Sequence, residues 1–282
     1  MRSCQRRLKR CKTKIKQKSG VGYSIPDFFD LKGEQKFDMN SFISWIGGKK
    51  LLRDAIIARF PEQYGRYIEV FGGAAWVLFC KDKHAPMEIY NDANSDLVNL
   101  FRVAKFHANE LARQLNLMLM SREMFCEVRD SVGVTDVQRA ARFWYLLQSS
   151  FGSDGRSFAC RPKDLQRAAA RLPDVQERLS RVLIEHKDFA ALIRQYDRPD
   201  ALFYCDPPYY GTEDYYAAEF TVADHVRLRD CLSAVKGKFV LSYNACPEVR
   251  ELYHGYQIDT VERQHNLKPG ERYQELIIRN FK

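Results

Sequence analysis

The sequence predicts an α/β fold with a partly parallel sheet, and two observations lead to this class. Short β-rich runs alternate with segments of helical spacing near both ends of the chain, a rhythm typical of strands joined by crossover helices. Between these two regions, residues 107–181 lose the alternation: residues 108–148 predict consecutive helices, and residues 149–163 predict a polar loop with glycine turns. We therefore expect an α/β domain that is interrupted by a helical insertion.

The first half of the α/β domain begins with residues 66–71 (RYIEVF), a β-rich run that ends in Gly72 and Gly73. The apolar residues 74–80 that follow have helical character. Residues 87–90 predict a second strand, and residues 95–106 have the apolar spacing of an amphipathic helix.

The second half repeats the pattern after the insertion. Its predicted strands are residues 182–186, 201–205 and 238–243, and its predicted helices are residues 189–196 and 224–235. Thr221 and Asp224 have the spacing of a capping box at the start of the second helix. Residues 257–261 and 276–278 predict a terminal β-hairpin.

The basic charge of the chain is concentrated at its start. Residues 1–18 contain nine Lys or Arg and no Asp or Glu, so the rest has 45 − 9 = 36 basic and 36 acidic residues. We interpret residues 1–38 as a flexible basic extension that would either contact phosphates or be solvated. A second basic cluster, with seven Lys or Arg against two Asp, lies at residues 139–171 within the insertion.

Several classes of protein are excluded by composition. No stretch approaches the about 18 consecutive apolar residues of a membrane-spanning helix, and the basic start lacks the apolar core of a secretory signal. The eight cysteines form no C-x-x-C pair, which argues against a zinc site and is typical of a reducing compartment. We expect a cytoplasmic protein without a metal and without a membrane partner.

The most specific motif follows the predicted strand at residues 201–205 and consists of Asp206, Pro207, Pro208 and Tyr209. Proline ends the hydrogen-bond ladder of a sheet, and open α/β sheets bind ligands at the carboxyl ends of their strands. A carboxylate and a fixed carbonyl accept hydrogen bonds from an exocyclic amine, while an aromatic ring stacks on a base. The motif predicts a site for an amino-bearing nucleobase, although an ordinary strand-ending turn has the same pattern.

Three weaker motifs precede it. Residues 69–75 (EVFGGAA) place glycines between a strand and a helix, which allows either a ligand or a packed helix to approach closely. Asp92 ends the second strand, where a carboxylate reaches ribose hydroxyls or caps a helix. Residues 44–50 (SWIGGKK) place a lysine on a glycine turn that binds an anion or is merely solvated. Neither G-x-G-x-x-G nor a P-loop is present, which argues against a nicotinamide dehydrogenase and a P-loop nucleotidase.

In this order, W-x-G-G-K, E-x-F-x-G, N-D, a helical insertion and D-P-P-Y resemble the Dam-type family (D12 class, alpha group) of DNA adenine-N6 methyltransferases. The resemblance extends over residues 42–281. It implies a Rossmann-like S-adenosylmethionine-dependent methyltransferase fold with a mixed seven-stranded sheet. Residues 39–106 and 182–282 would form the catalytic domain, and residues 107–181 the helical DNA-recognition insertion.

The resemblance also implies a role for individual residues. The target adenine would be held by Asp206, Pro207, Pro208 and Tyr209. The methyl donor would be bound by Trp45, Gly47, Gly48, Lys49, Glu69, Phe71, Gly73, Asp92, Asp188, Phe189 and Asp206. DNA would be contacted by Arg139, Arg142, Phe151, Arg156, Arg161 and Lys163. The chain departs from the family pattern at Ala75, where the family has a second loop glycine, and bulky Trp76 follows it.

The predicted reaction is methyl transfer from S-adenosylmethionine to N6 of adenine in double-stranded DNA, by an enzyme of a bacterium, phage or mobile element. A cognate restriction endonuclease would be a possible partner. Methylation of cytosine N4 requires the same hydrogen bonds to an exocyclic amine and is the alternative activity. A catalytically silent DNA-binding relative is the alternative from another class.

Overall fold

The structure, a computed structural model, describes residues 39–45, 47–211, 220–264 and 272–282. These ranges belong to a unit that begins at Phe37. The predicted extension at residues 1–38 lies outside the described residues. None of the helices in the described ranges is both long enough and apolar enough to span a bilayer.

Seven strands form one mixed sheet. They are β1 (Arg66–Glu69), β2 (Met87–Asn91), β3 (Val182–Glu185), β4 (Ala201–Cys205), β5 (Lys238–Asn244), β6 (Gln257–Gln264) and β7 (Arg272–Arg279). Their order is β3-β2-β1-β4-β5-β7-β6. The first five strands are parallel, and β7 runs antiparallel to both β5 and β6. The predicted mixed seven-stranded Rossmann-like sheet is therefore confirmed, with the terminal hairpin as its antiparallel edge.

Ten α-helices are described. They are α1 (Arg53–Ile57), α2 (Ser95–Phe106), α3 (Ala108–Leu115), α4 (Arg122–Asp130), α5 (Asp136–Ser149), α6 (Leu165–Ala169), α7 (Leu172–Leu179), α8 (Phe189–Tyr196), α9 (Val222–Ser233) and α10 (Pro247–Leu252). The helices α3 to α7 lie consecutively between β2 and β3, as the sequence predicts for the insertion. The predicted capping box of α9, formed by Thr221 and Asp224, is present.

The core fills both faces of the sheet because neighbouring residues of a strand point to opposite sides. Tyr67 and Tyr204 are buried on one face together with Trp144 of the insertion. Ile68 and Cys205 are buried on the other face, against α8, α9 and α10. The insertion thus shares one continuous core with the sheet, and the Cys205 side chain is part of the core on the opposite face.

Two local predictions need correction. Residues 74–80 do not form an α-helix: Ala75 has φ +55°, outside helical geometry, and only Leu78–Cys80 form a short 3-10 helix. The hairpin strands β6 and β7 have eight residues each, longer than the predicted runs. The residues by which the two strands exceed the predicted runs are mostly polar, and an antiparallel strand can have one face in solvent, so apolar runs do not mark its full length.

A buried ion pair ties the insertion to the sheet. Arg178 of α7 donates from both terminal nitrogens to the carboxylate of Glu88 on β2, at 3.0 and 2.8 Å. Both side chains are almost fully buried. The same guanidinium donates to the carbonyls of Lys81 and Leu78. Every polar atom of the pair therefore depends on partners from another element.

We predict that Arg178→Met lowers the free energy of unfolding by about 3–5 kcal/mol, because Glu88 would remain buried without its charge partner. Urea denaturation measures the effect. Arg113→Met is the matched control, since Arg113 forms an exposed pair with Glu110 and its loss should leave the midpoint unchanged. Equal midpoints for both variants would contradict the account of the buried pair.

Candidate active site

One pocket opens at the carboxyl ends of β1, β2 and β4. It is lined by all of the residues predicted to bind the methyl donor, which are Trp45, Gly47, Gly48, Lys49, Glu69, Phe71, Gly73, Asp92, Asp188, Phe189 and Asp206. Pro207 and Pro208 also line it. Four motifs that are far apart in the chain therefore meet at one place, as expected for the carboxyl ends of parallel strands.

The glycine loop after β1 is shaped for close approach. Gly73 has φ +49°, and a Cβ there would lie 3.1 Å from the indole of Trp45. Its N–H donates to the Asp92 carboxylate at 2.8 Å, and its carbonyl accepts from the Tyr90 hydroxyl at 2.8 Å. The loop is thus held by β2 and Asp92, and a side chain at Gly73 would be strained by the positive φ and crowded by Trp45.

Ala75 occupies the position where the family pattern has a second glycine. It is fully buried and adopts φ +55°, a left-handed conformation that costs a non-glycine residue roughly 1–2 kcal/mol. Its N–H donates to the carbonyl of Gly72 at 2.7 Å. Alanine therefore makes the turn that glycine would make, with some backbone strain.

Asn91 and Asp92 connect the loops at the ends of three strands. Asn91 donates to the carbonyls of Val70 and Lys187 and accepts from the Lys187 N–H. Asp92 accepts from the backbone N–H groups of Gly73 and Asn94. The helix-capping role considered for Asp92 belongs to Asn94, which caps α2.

Aromatic rings form the wall near β3. Phe189 lies 5.6 Å from Phe71 and 5.9 Å from Phe220, measured between ring centroids. Asp188 caps α8, because its Oδ1 atom accepts hydrogen bonds from the backbone N–H groups two and three residues further along the chain. Its Oδ2 atom accepts from Arg227 at 2.8 Å. Neither Phe220 nor Arg227 was predicted from the sequence, because both lie on a later segment with no motif of its own.

Asp206 lines the pocket and follows β4 directly. Its Oδ1 atom lies 2.8 Å from the Lys49 ammonium and accepts from the Ser242 hydroxyl at 2.9 Å. Burial raises the pKa of Asp206, while the charge and hydrogen bond of Lys49 oppose this rise. Lys49 is itself buried and also donates to the carbonyl of Gly47.

Tyr209 lies beside the pocket rather than in its lining. Its hydroxyl donates to Glu275 of β7 at 2.6 Å, and its ring centroid lies 4.6 Å from the Lys49 ammonium. Asn244 of β5 exchanges two hydrogen bonds with the backbone of Tyr210. Sequence reasoning missed Ser242, Asn244 and Glu275, which carry no motif and reach the site only through strand pairing.

The predicted DNA contacts fall into two groups. Arg139 pairs with Asp136, Arg142 donates to the carbonyls of Val128 and Arg129, and Lys163 donates to the carbonyl of Gln148. By contrast, Phe151, Arg156 and Arg161 are exposed, and within the described ranges neither of these two arginine side chains has a hydrogen-bond or ion-pair partner. Only the second group is available to a ligand without breaking a contact.

Comparison with known proteins identifies the family. The model of the D12 class N6 adenine-specific DNA methyltransferases matches residues 45–267. The chain belongs to this family. The prediction of adenine rather than cytosine, and of an enzyme rather than a silent relative, is therefore confirmed. The family implies S-adenosylmethionine as the donor and DNA as the substrate.

Relatives of this methyltransferase are similar over nearly their whole length. A Type II methyltransferase of Lactococcus lactis subsp. cremoris is 28% identical over 285 residues, covering 89% of this chain and 99% of the relative. A Type II methyltransferase of Paramecium bursaria Chlorella virus NC1A is 25% identical, covering 82% and 92%. A DNA adenine methylase of Haemophilus influenzae is 24% identical, covering 82% and 89%.

We predict that Glu69 makes the free energy of unfolding depend on pH. Burial raises its pKa from 4.5 to about 8, against the hydrogen bond from Tyr67. The native state therefore keeps a proton that the unfolded chain releases, so stability falls between pH 4.5 and 8 by about 1.4 kcal/mol per pH unit. Glu69→Gln should remove the part of this pH dependence that Glu69 causes.

Urea denaturation of the ligand-free protein at pH 5, 6.5 and 8 measures it. The stability of Glu69→Gln relative to wild type should rise steadily with pH, whereas the exposed control Glu62→Gln should follow wild type. A constant difference between Glu69→Gln and wild type over this range would refute the assignment.

Proposed function

We propose that the pocket binds S-adenosylmethionine and that Asp206, Pro207, Pro208 and Tyr209 hold an adenine flipped out of double-stranded DNA. The observation that carries this proposal is the position of Asp206. Its carboxylate lines the pocket, and it is also the first residue of the loop that leaves the carboxyl end of β4. A donor in the pocket and a base on this loop would therefore meet at one side chain.

The lining of the pocket fits the donor. Phe71 and Phe189 offer apolar surface for a purine, and Asp92 offers carboxylate oxygens for ribose hydroxyls. The glycine loop lets the methionine part approach the backbone, with Glu69 and Lys49 beside it. When bound, the donor supplies a methyl group on a positively charged sulfur.

The chain's own contribution to transfer is to prepare the amine. The N6 lone pair of adenine is delocalised into the ring, and hydrogen bonds to Asp206 and to the Pro207 carbonyl favour a more tetrahedral nitrogen. They also stabilise the positive charge that develops on it, because the acceptors are fixed beforehand. Lys49 and Ser242 both contact Oδ1, so the amine would be bound by Oδ2.

Asp206 would also accept the proton that leaves N6 after methyl transfer. Its burial raises the pKa of the carboxyl group, which makes the carboxylate a stronger base than an exposed aspartate. Tyr209 would stack on the flipped base and return about 1–3 kcal/mol, against a flipping cost of a few kcal/mol. No side-chain nucleophile is required.

DNA would lie along the insertion, with Phe151, Arg156 and Arg161 toward it. We assign the basic residues 1–18 a supporting, non-specific role in DNA affinity. The term Type II in the names of two relatives is typical of restriction–modification systems, so a cognate restriction endonuclease is a candidate partner.

Methyl transfer from labelled S-adenosylmethionine to unmethylated DNA, followed by digestion to nucleosides, tests the site. We predict label in N6-methyladenine with the wild type and a loss of roughly 100-fold to 1,000-fold in rate for Asp206→Ala. Asp200→Ala is the matched control, since Asp200 is exposed before the other end of β4. Equal rates for both variants, or label in N4-methylcytosine, would overturn the proposal.

A second prediction concerns DNA affinity. Each phosphate contact that is lost should reduce the slope of log affinity against log salt by about 0.9. Arg156→Ala and Arg161→Ala should show this reduction without a loss of stability. Arg142→Ala should lower stability and keep the slope, because its guanidinium binds backbone carbonyls. Fluorescence anisotropy at several salt concentrations distinguishes these results, and unchanged slopes for Arg156→Ala and Arg161→Ala would contradict the DNA path.

A further inference from the structure

Arg227 of α9 reaches back to the segment that follows β3. Its guanidinium lies 4.1 Å from the ring centroid of Phe189. It also pairs with Asp188 at 2.8 Å and with Asp224 at 2.9 Å. These contacts fix the side chain from two sides and place its planar group over the aromatic ring.

All four of these residues line the donor pocket, together with Phe220. Arg227 is therefore part of the wall that contains Asp188 and Phe189. This wall follows β3, and two strands separate β3 from β4, after which Asp206 lies. Since α9 begins after the D-P-P-Y loop, this side chain comes from a segment in which the sequence shows no donor-binding motif.

The stability of α9 does not account for the arrangement. The start of the helix is already capped by Thr221 and Asp224, and the Arg227 side chain is 47% exposed. An arginine that served only as a surface charge would not need two carboxylates and a ring to hold it. Planar stacking distinguishes arginine from lysine, which offers a compact charge.

We infer that Arg227 is a positioning residue for the adenine part of the donor. It holds the Phe189 ring in place and lines that wall of the pocket with the flat face of its guanidinium. This inference rests on the proposed function, in which Asp188 and Phe189 lie beside the donor's adenine. It adds a residue from α9 to that subsite.

Calorimetric titration with S-adenosylhomocysteine, the demethylated donor, tests the inference without requiring catalysis. We expect Arg227→Met to bind it about threefold to tenfold more weakly than wild type. Arg227→Lys, which keeps the charge and loses the planar group, should also bind more weakly. Arg229→Met should bind as wild type, because Arg229 pairs with Asp230 on the same helix and does not line the pocket.

Steady-state kinetics provide the second readout. Arg227→Met should raise KM for the donor by the same factor and leave kcat and KM for DNA unchanged, with a melting temperature equal to that of Arg229→Met. The inference would be overturned if Arg227→Met bound S-adenosylhomocysteine as tightly as wild type or more tightly, or if Arg227→Met and Arg229→Met lost the same affinity. Failure of the wild type to bind S-adenosylhomocysteine would instead overturn the proposed function.

Discussion

The ion pair between Lys49 and Asp206 is the interaction on which the site depends. It joins the segment before β1 to the loop after β4, and both charged groups are largely removed from water. A buried charge is costly unless it is paired and hydrogen-bonded. Lys49 and Ser242 satisfy this requirement at Oδ1, and the same contacts orient the carboxylate. Stability and chemical orientation therefore have one cause here.

The sheet makes this pairing possible because its parallel strands end at the same edge. Asn91 bonds to the segments after β1 and β3, and Asp92 holds Gly73. The loops that line the pocket are thus joined by hydrogen bonds from side chains at the strand ends, and not by the backbone hydrogen bonds of helices or strands. Hydrogen bonds from β2 thus hold the β1 and β2 side of the site, while Tyr209 is held by Glu275 of β7, a strand that pairs with β5 and β6.

The features that could be predicted from the sequence are those that depend on residues close together in the chain. The strands of the parallel sheet have apolar runs, and Asp206 with its prolines forms a motif that resembles the family pattern when the other three motifs precede it. Sequence reasoning missed Ser242, Glu275 and Arg227. Each of them lies 36 to 66 positions away in the chain from the site residue that it contacts, and a single sequence contains no record of such pairs. The segment at residues 74–80 misled because its apolar spacing is helical, whereas Ala75 takes a left-handed turn.

The most direct test of the central claim is a crystal structure of the protein with DNA and sinefungin, a donor analogue that transfers no methyl group. The account predicts a flipped adenine whose N6 atom lies within hydrogen-bond distance, about 3.2 Å or less, of both Asp206 Oδ2 and the Pro207 carbonyl. Lys49 should still contact Oδ1. An adenine bound elsewhere, or an Asp206 carboxylate turned away from N6, would contradict it.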